Sequence, residues 1–233
     1  MSATHAPRPT PPNQRKHILT EGIDYLETGK RSVWGGKDKV MGDALRAMRL
    51  RGAWLNLACG DGRYNLVLLK KARHIVAADI DKSALAKVRK ITPPKYIHKL
   101  DTKAFDMTKR FPFKAHTFDG IFNTGTLYLF PVPIFHEIIK EMDRVLKPGG
   151  MLLFDFATNI TRERFDKKPY RIHGEPNYTP QRAKKILAAT LKKYNISMRV
   201  GNIPRESYPK AKPPYWYSST YLVVRAMKEV SRD

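Results

Sequence analysis

Apolar side chains fall at helical spacing over residues 38–48, with Val40, Met41, Leu45 and Met48 on one face. The period then changes. Short apolar runs at 53–58, 74–79, 96–100, 118–123 and 151–156 have the length of buried strands. Between them, 63–71, 82–90 and 133–146 carry the helical period, and "KPGG" after the last of these ends it, since Pro148 and two glycines cannot continue a helix. Upstream, 18–26 reads as a further helix, and the Pro-rich, polar residues 1–16 read as a flexible arm. After Phe156 come a basic, aromatic stretch, a helix at 180–194, a strand at 196–200, the loop "IPRESYPKAKPPYWY" and a last strand at 219–224. Strands alternating with helices predict an α/β fold, a parallel sheet covered by helices on both faces.

Such a sheet binds ligands at the carboxyl ends of its strands. Asp61, Asp79, Asp106 and Asn123 all follow apolar runs, so the fold would gather them on one edge. The turn "LNLACGDGRY" at 55–64 carries the chemical signal. A dinucleotide turn needs G-x-G-x-x-G, but after Gly60 and Gly62 the third position is Asn65. The P-loop pattern G-x-x-x-x-G-K-[ST] is also absent. A carboxylate at Asp61 would repel a pyrophosphate and suits a ligand carrying sulfonium and ammonium charges. The turn therefore points to S-adenosylmethionine.

With that turn, the chain resembles the class I S-adenosylmethionine-dependent methyltransferases, and within them the ubiquinone/menaquinone-biosynthesis-like pattern called type 11. The resemblance runs from about Trp54 to Ala157 through "WLNLACGDGRY", "IVAADIDKSAL", "FDMTKRFPFKAHTFDGIF" and "EIIKEMDRVLKPGGMLLFDF" in order. It implies a Rossmann-like, seven-stranded, mostly parallel sheet. It also implies that Gly60, Asp61 and Gly62 hold the methionine part of the cofactor and that Asp79 binds the ribose hydroxyls. Ile80 would lie against the adenine, Asp106 would bond its amine beside Met107, and Asn123 is taken as a further cofactor-binding residue. Asp101 competes with Asp106, because the end of the third strand is not evident from the pattern. Two positions depart from the family: Asn56 replaces an acid on the first strand, and Ala58 replaces the first glycine. Asn56 can still accept a hydrogen bond, while Ala58 restricts φ and adds a methyl group beside the ligand, so weaker cofactor binding is expected. The organisation expected is a single domain over 17–233. It would comprise a helical lid (17–50), a cofactor-binding core (51–157) and a basic substrate-side part (158–233).

Charge bears on the acceptor. The chain has 44 Lys+Arg against 21 Asp+Glu, a net of +23, and 17 Lys/Arg against 6 Asp/Glu lie from Thr161 onward. Such a field favours RNA or another polyanion as the acceptor, with a small metabolite as the alternative. A non-catalytic RNA-binding protein on the same scaffold is the rival reading. The aromatics at 170–178 and 208–217 either stack bases or pack inward. Tyr128, His136, Asp155 and His173 are polar candidates near the cleft, with Tyr128 taken as the substrate-facing residue. The "KPPY" at 212–215 is read as a stiff aromatic loop. Cys59 reads as a small packed residue rather than a nucleophile, and as the only cysteine it forms no internal disulfide. No window approaches the roughly 18 apolar residues of a membrane span, and prolines occupy the place of a signal peptide's apolar stretch. A cytoplasmic protein is expected.

Overall fold

The computed structural model describes residues 24–35, 38–171, 174–209 and 213–230. The arm read at 1–16, most of the helix read at 18–26, His173 and Lys212 lie outside the described residues. Seven strands form one sheet: β1 (Ala53–Leu57), β2 (His74–Asp79), β3 (Leu100–Ala104), β4 (Phe118–Asn123), β5 (Leu146–Arg164), β6 (Tyr194–Tyr208) and β7 (Tyr215–Lys228). Their order is β3-β2-β1-β4-β5-β7-β6. The first five strands pair in parallel, and β7 runs antiparallel to both β5 and β6.

Alternation along the strands feeds two cores. Leu55, Ile121, Phe154 and Leu222 face one side, beneath helices α5 (Val132–Val145) and α6 (Pro180–Thr190). Trp54, Phe122, Leu153 and Val223 face the other, beneath α1 (Lys39–Ala47), α2 (Asn65–Lys71) and α3 (Lys82–Ile91). Helices α1, α3 and α6 start where the sequence supplies a side-chain cap. Asp38 Oδ1 accepts from Met41 N at 2.8 Å, Asp81 Oδ1 accepts from Ser83 N at 2.7 Å, and Pro180 follows the N-cap Thr179.

Three expectations are corrected. The stretch read as a strand at 96–100 begins with a short helix, α4 (Pro94–Ile97), because Pro94 sits at a helix start, and β3 runs later. The helix before "KPGG" ends at Val145, and Leu146 already pairs with Phe118 as β5 begins. The C-terminal strands are far longer than read, since part of the Pro-rich loop belongs to β6 and β7. Pro204 has no N–H to donate, and it falls where the β6–β7 register shifts between Ile203 and Glu206. A matching shift in β5 lies between Thr158 and Thr161, beside Asn159 at φ 48°.

These bulged extensions position the site. The β4–β5 ladder ends at Asn123 and Phe154, so Asp155 is the first residue of β5 beyond the parallel sheet. Packing at the sheet centre is tight: a methyl group on Gly120 would stand 2.4 Å from the indole of Trp54, its ladder partner on β1. Gly120→Ala is expected to lower the unfolding free energy by about 2 kcal/mol in chemical denaturation. An unchanged midpoint would show that the indole can move.

Candidate active site

The turn after β1 is built from left-handed backbone. Ala58, Gly60 and Gly62 have φ of 49°, 52° and 85°. Glycine adopts this conformation freely, whereas Ala58 bears a cost on the order of 1 kcal/mol. Cys59 N donates to Ala78 O at 2.9 Å and Gly60 N donates to Asp79 Oδ2 at 2.8 Å, which moors the turn to the end of β2. The other Asp79 oxygen accepts from Asp81 N at 3.0 Å, and burial raises the pKa of this carboxyl.

Asp61 turns away from that edge. Its side chain is fully buried against Lys87 of α3, Nζ to Oδ2 2.8 Å, with the lysine only 2% exposed. Lys87 also donates to Thr28 Oγ1 at 2.7 Å and to Arg31 O at 3.0 Å. Asp61 accepts in addition from Ser32 Oγ at 2.6 Å and Val33 N at 2.9 Å. One ion pair thus fastens the segment 28–33 onto the turn. Trp34, which follows, lies over Gly60, where a methyl group would meet its Nε1 at 3.4 Å.

The turn, this segment and the long C-terminal strands enclose a cavity of about 280 Å³. Among the expected residues, Asn56, Ala58, Gly60, Asp79, Ile80, Asp106, Met107 and Tyr128 line it. Ile80 is 41% exposed there, an apolar surface placed to be covered by a flat ring. Asp106 rather than Asp101 reaches the cavity. Its Oδ1 accepts from Thr108 N at 2.8 Å, whereas the Asp101 side chain on β3 is 70% exposed beside His74 of β2.

Three expected residues are corrected. Asp61 is consumed by Lys87, so its charge does not face the cavity. Gly62 packs on α3, where a methyl group would stand 3.0 Å from Val88. Asn123 is fully buried and donates to Leu57 O at 2.8 Å, bracing β4 against β1. Nor does His136 on α5 line the cavity. Cys59 does line it, but burial holds its thiol well above the ordinary range and its Sγ donates to Gly60 O, which leaves it a poor nucleophile.

The far end of the cavity is aromatic. Tyr64, Tyr128, Tyr208, Tyr215, Tyr217 and Tyr221 converge there with Asp38, Arg63, Asp155 and Arg162. Asp155 Oδ1 accepts from Gly125 N at 2.7 Å, and burial raises its pKa from 3.8 to about 6. Arg162 forms a two-point pair with Glu175 and stacks over Tyr217 at 5.3 Å. Tyr208, Tyr215 and Tyr217, candidates for stacking bases on the surface, therefore face inward. Sequence reading missed Arg63, Tyr64 and the Lys87 clamp, since a lysine in a charged helix carries no sign of its burial.

A family model described as "Methyltransferase domain" matches residues 55–154, the stretch that carries β1 to β4, α5 and the cavity's cofactor-side turns. Residues 55–154 are thus similar in sequence to a methyltransferase domain. A protein of Haemophilus influenzae described as "Uncharacterized protein" is 35% identical over 101 residues, 42% of this chain and 40% of that protein. The chain thus aligns with well under half of that relative's length. Its fold is similar to that of a SAM-dependent methyltransferase of Methanosarcina mazei, with TM-score 0.61, 18% identity, and 84% and 100% of the two chains covered. It is also similar to the 1,6-didemethyltoxoflavin-N1-methyltransferase of Burkholderia thailandensis. That structure, with bound 1,6-didemethyltoxoflavin and S-adenosylhomocysteine, gives TM-score 0.56 at 17% identity over 82% and 77% of the chains. No helix among the described residues is long and apolar enough to cross a membrane.

The clamp makes a stability prediction. Lys87→Ala leaves Asp61 buried without its cation and is expected to cost about 3 kcal/mol in chemical denaturation. Lys82→Ala, at an exposed site on the same helix, should stay within about 0.5 kcal/mol of wild type. A Lys87 effect below about 1 kcal/mol would contradict a structural role for the pair.

Proposed function

We propose that this protein transfers a methyl group from S-adenosylmethionine to a small molecule held in the tyrosine-lined end of its cavity. The observation that carries this reading is the charge of the lining: Asp38, Asp79, Asp81, Asp106 and Asp155 stand against Arg63 and Arg162. Within a chain of net charge +23, the cavity is acidic. That balance suits a cationic cofactor and disfavours a phosphate chain in the cavity, so the RNA acceptor expected from overall charge has no support at the site.

The residues fit the cofactor. Asp79 keeps spare lone pairs for two ribose hydroxyls while its present bonds hold its orientation. Ile80 and Met107 offer apolar surface to an adenine, and Asp106 an acceptor for its amine. The backbone of Ala58 and Gly60, with Asn56 beneath, would hold the amino-acid end. When bound, S-adenosylmethionine supplies an electrophilic methyl group on a sulfonium sulfur. The protein's task is then orientation and exclusion of water, served by Tyr25 and Trp34 at one side and the β6–β7 tyrosines at the other. Tyr128 is assigned to the acceptor: it lies in the 3-10 turn Leu127–Leu129 after β4, and burial keeps its hydroxyl protonated as a donor.

Calorimetric titration with S-adenosylmethionine tests the reading. Wild type is expected to bind in the micromolar range and Asp79→Ala at least ten-fold more weakly. Absence of binding to folded wild type would favour a non-catalytic protein on this scaffold.

A further inference from the structure

The tyrosine-lined chamber constrains what the acceptor can be. Tyr64, Tyr128, Tyr208, Tyr217 and Tyr221 all have raised pKa values, first through burial, so their rings stay neutral and present faces that attract cations. The fixed charges are unevenly matched. Arg162 is 6% exposed and Glu175 7%, and their two-point pairing cancels the guanidinium charge inside the chamber. What remains is Asp38 and Asp155 against Arg63 alone. The chamber is one positive charge short.

We infer that the acceptor is a small amine that enters as its ammonium form, lies between the tyrosine faces and Asp155, and gives its proton to the Asp155 carboxylate. This inference rests on the methyltransferase reading and names its substrate class. An ammonium supplies the missing charge and relieves the cost of a carboxylate held away from water. A carboxylate or phosphate head group would instead face Asp38 and Asp155 with Arg162 already paired. A neutral alcohol would leave Asp155 unmatched. In the proton transfer an N–H bond breaks, an O–H bond forms on Asp155, and the bonding pair remains on nitrogen as the lone pair that methylation requires. Asp155 is suited to this exchange because its pKa of about 6 keeps it ionised at neutral pH while leaving it a stronger base than an ordinary aspartate.

Ligand-observed NMR on the full chain tests this with benzylamine, benzyl alcohol and benzoate, which share a ring and differ in head-group charge. At pH 7.5, with saturating S-adenosylhomocysteine, benzylamine is expected to bind at least ten-fold more tightly than the other two. Asp155→Asn, checked for folding by circular dichroism, should remove at least ten-fold of that affinity. The charged and titratable groups around Asp155 are Asp38, Arg63, Tyr64, Tyr128, Tyr217 and Tyr221, so Asp38→Asn serves as the control for the second carboxylate. Protonation of Asp155 below about pH 6 should weaken benzylamine binding to wild type and to Asp38→Asn but not to Asp155→Asn. The inference is overturned if benzylamine fails to bind, if benzoate or benzyl alcohol binds as well, or if Asp155→Asn is indistinguishable from wild type. Binding only when S-adenosylhomocysteine is omitted would also overturn it, by placing the amine at the cofactor end. Failure of S-adenosylhomocysteine itself to bind would instead strike the methyltransferase reading.

Discussion

The buried pair between Asp61 and Lys87 ties together the parts on which the cavity depends. An aspartate and a lysine removed from water are costly unless every proton and lone pair finds a partner. Here the lysine spends its donors on Asp61, Thr28 and Arg31, and the aspartate accepts from Ser32 and Val33 as well. The partners that satisfy the pair belong to a segment with little regular structure of its own, a single short 3-10 turn at Tyr25–Glu27. That segment is held down by polar bonds to the turn after β1 and to α3, and it places Trp34 over Gly60. The geometry of the cofactor-side turn and the closure above it therefore share one anchor.

A second constraint comes from the opposite end of the chain. The antiparallel strands β5, β7 and β6 continue past the point where the parallel ladder stops, and register shifts in β5 and β6 interrupt otherwise regular pairing. Side chains that would be solvent-facing on a shorter sheet become a wall: Arg162 on β5, Tyr208 on β6, and Tyr215, Tyr217 and Tyr221 on β7. Local and global charge separate as a result. Among the described residues most lysines and arginines are exposed or half-buried, while the cavity gathers aspartates at the strand ends.

Much of this was legible in the sequence, and the reasons differ by region. The parallel core reads clearly because buried strands are short apolar runs and its helices carry caps such as Asp38 and Asp81 beside amphipathic faces. Asp79, Asp106 and the glycines of the turn stand out because backbone geometry and charge there admit few residue types. Asp61 misleads, since a carboxylate inside a ligand-binding turn has the same one-dimensional appearance whether it faces the ligand or a distant lysine. The third strand shifts because Pro93 and Pro94 start a short helix that an apolar Tyr and Ile disguise. The C-terminal wall was the least readable part: Pro204, Pro213 and Pro214 signal a loop, yet a register shift lets β6 run through Pro204, and β7 begins directly after Pro214.

The central claim is that the acidic, tyrosine-walled cavity is one continuous site with a cofactor end at Asp79 and an acceptor end at Asp155. A crystal structure of the full chain with S-adenosylhomocysteine tests it most directly. Density is expected for the ribose against the Asp79 carboxylate, the adenine between Ile80 and Met107, and the sulfur directed toward Tyr128, with Trp34 still seated over Gly60. Density for the ligand outside this cavity, or an adenine directed toward Asp155 with Asp79 unengaged, would contradict it.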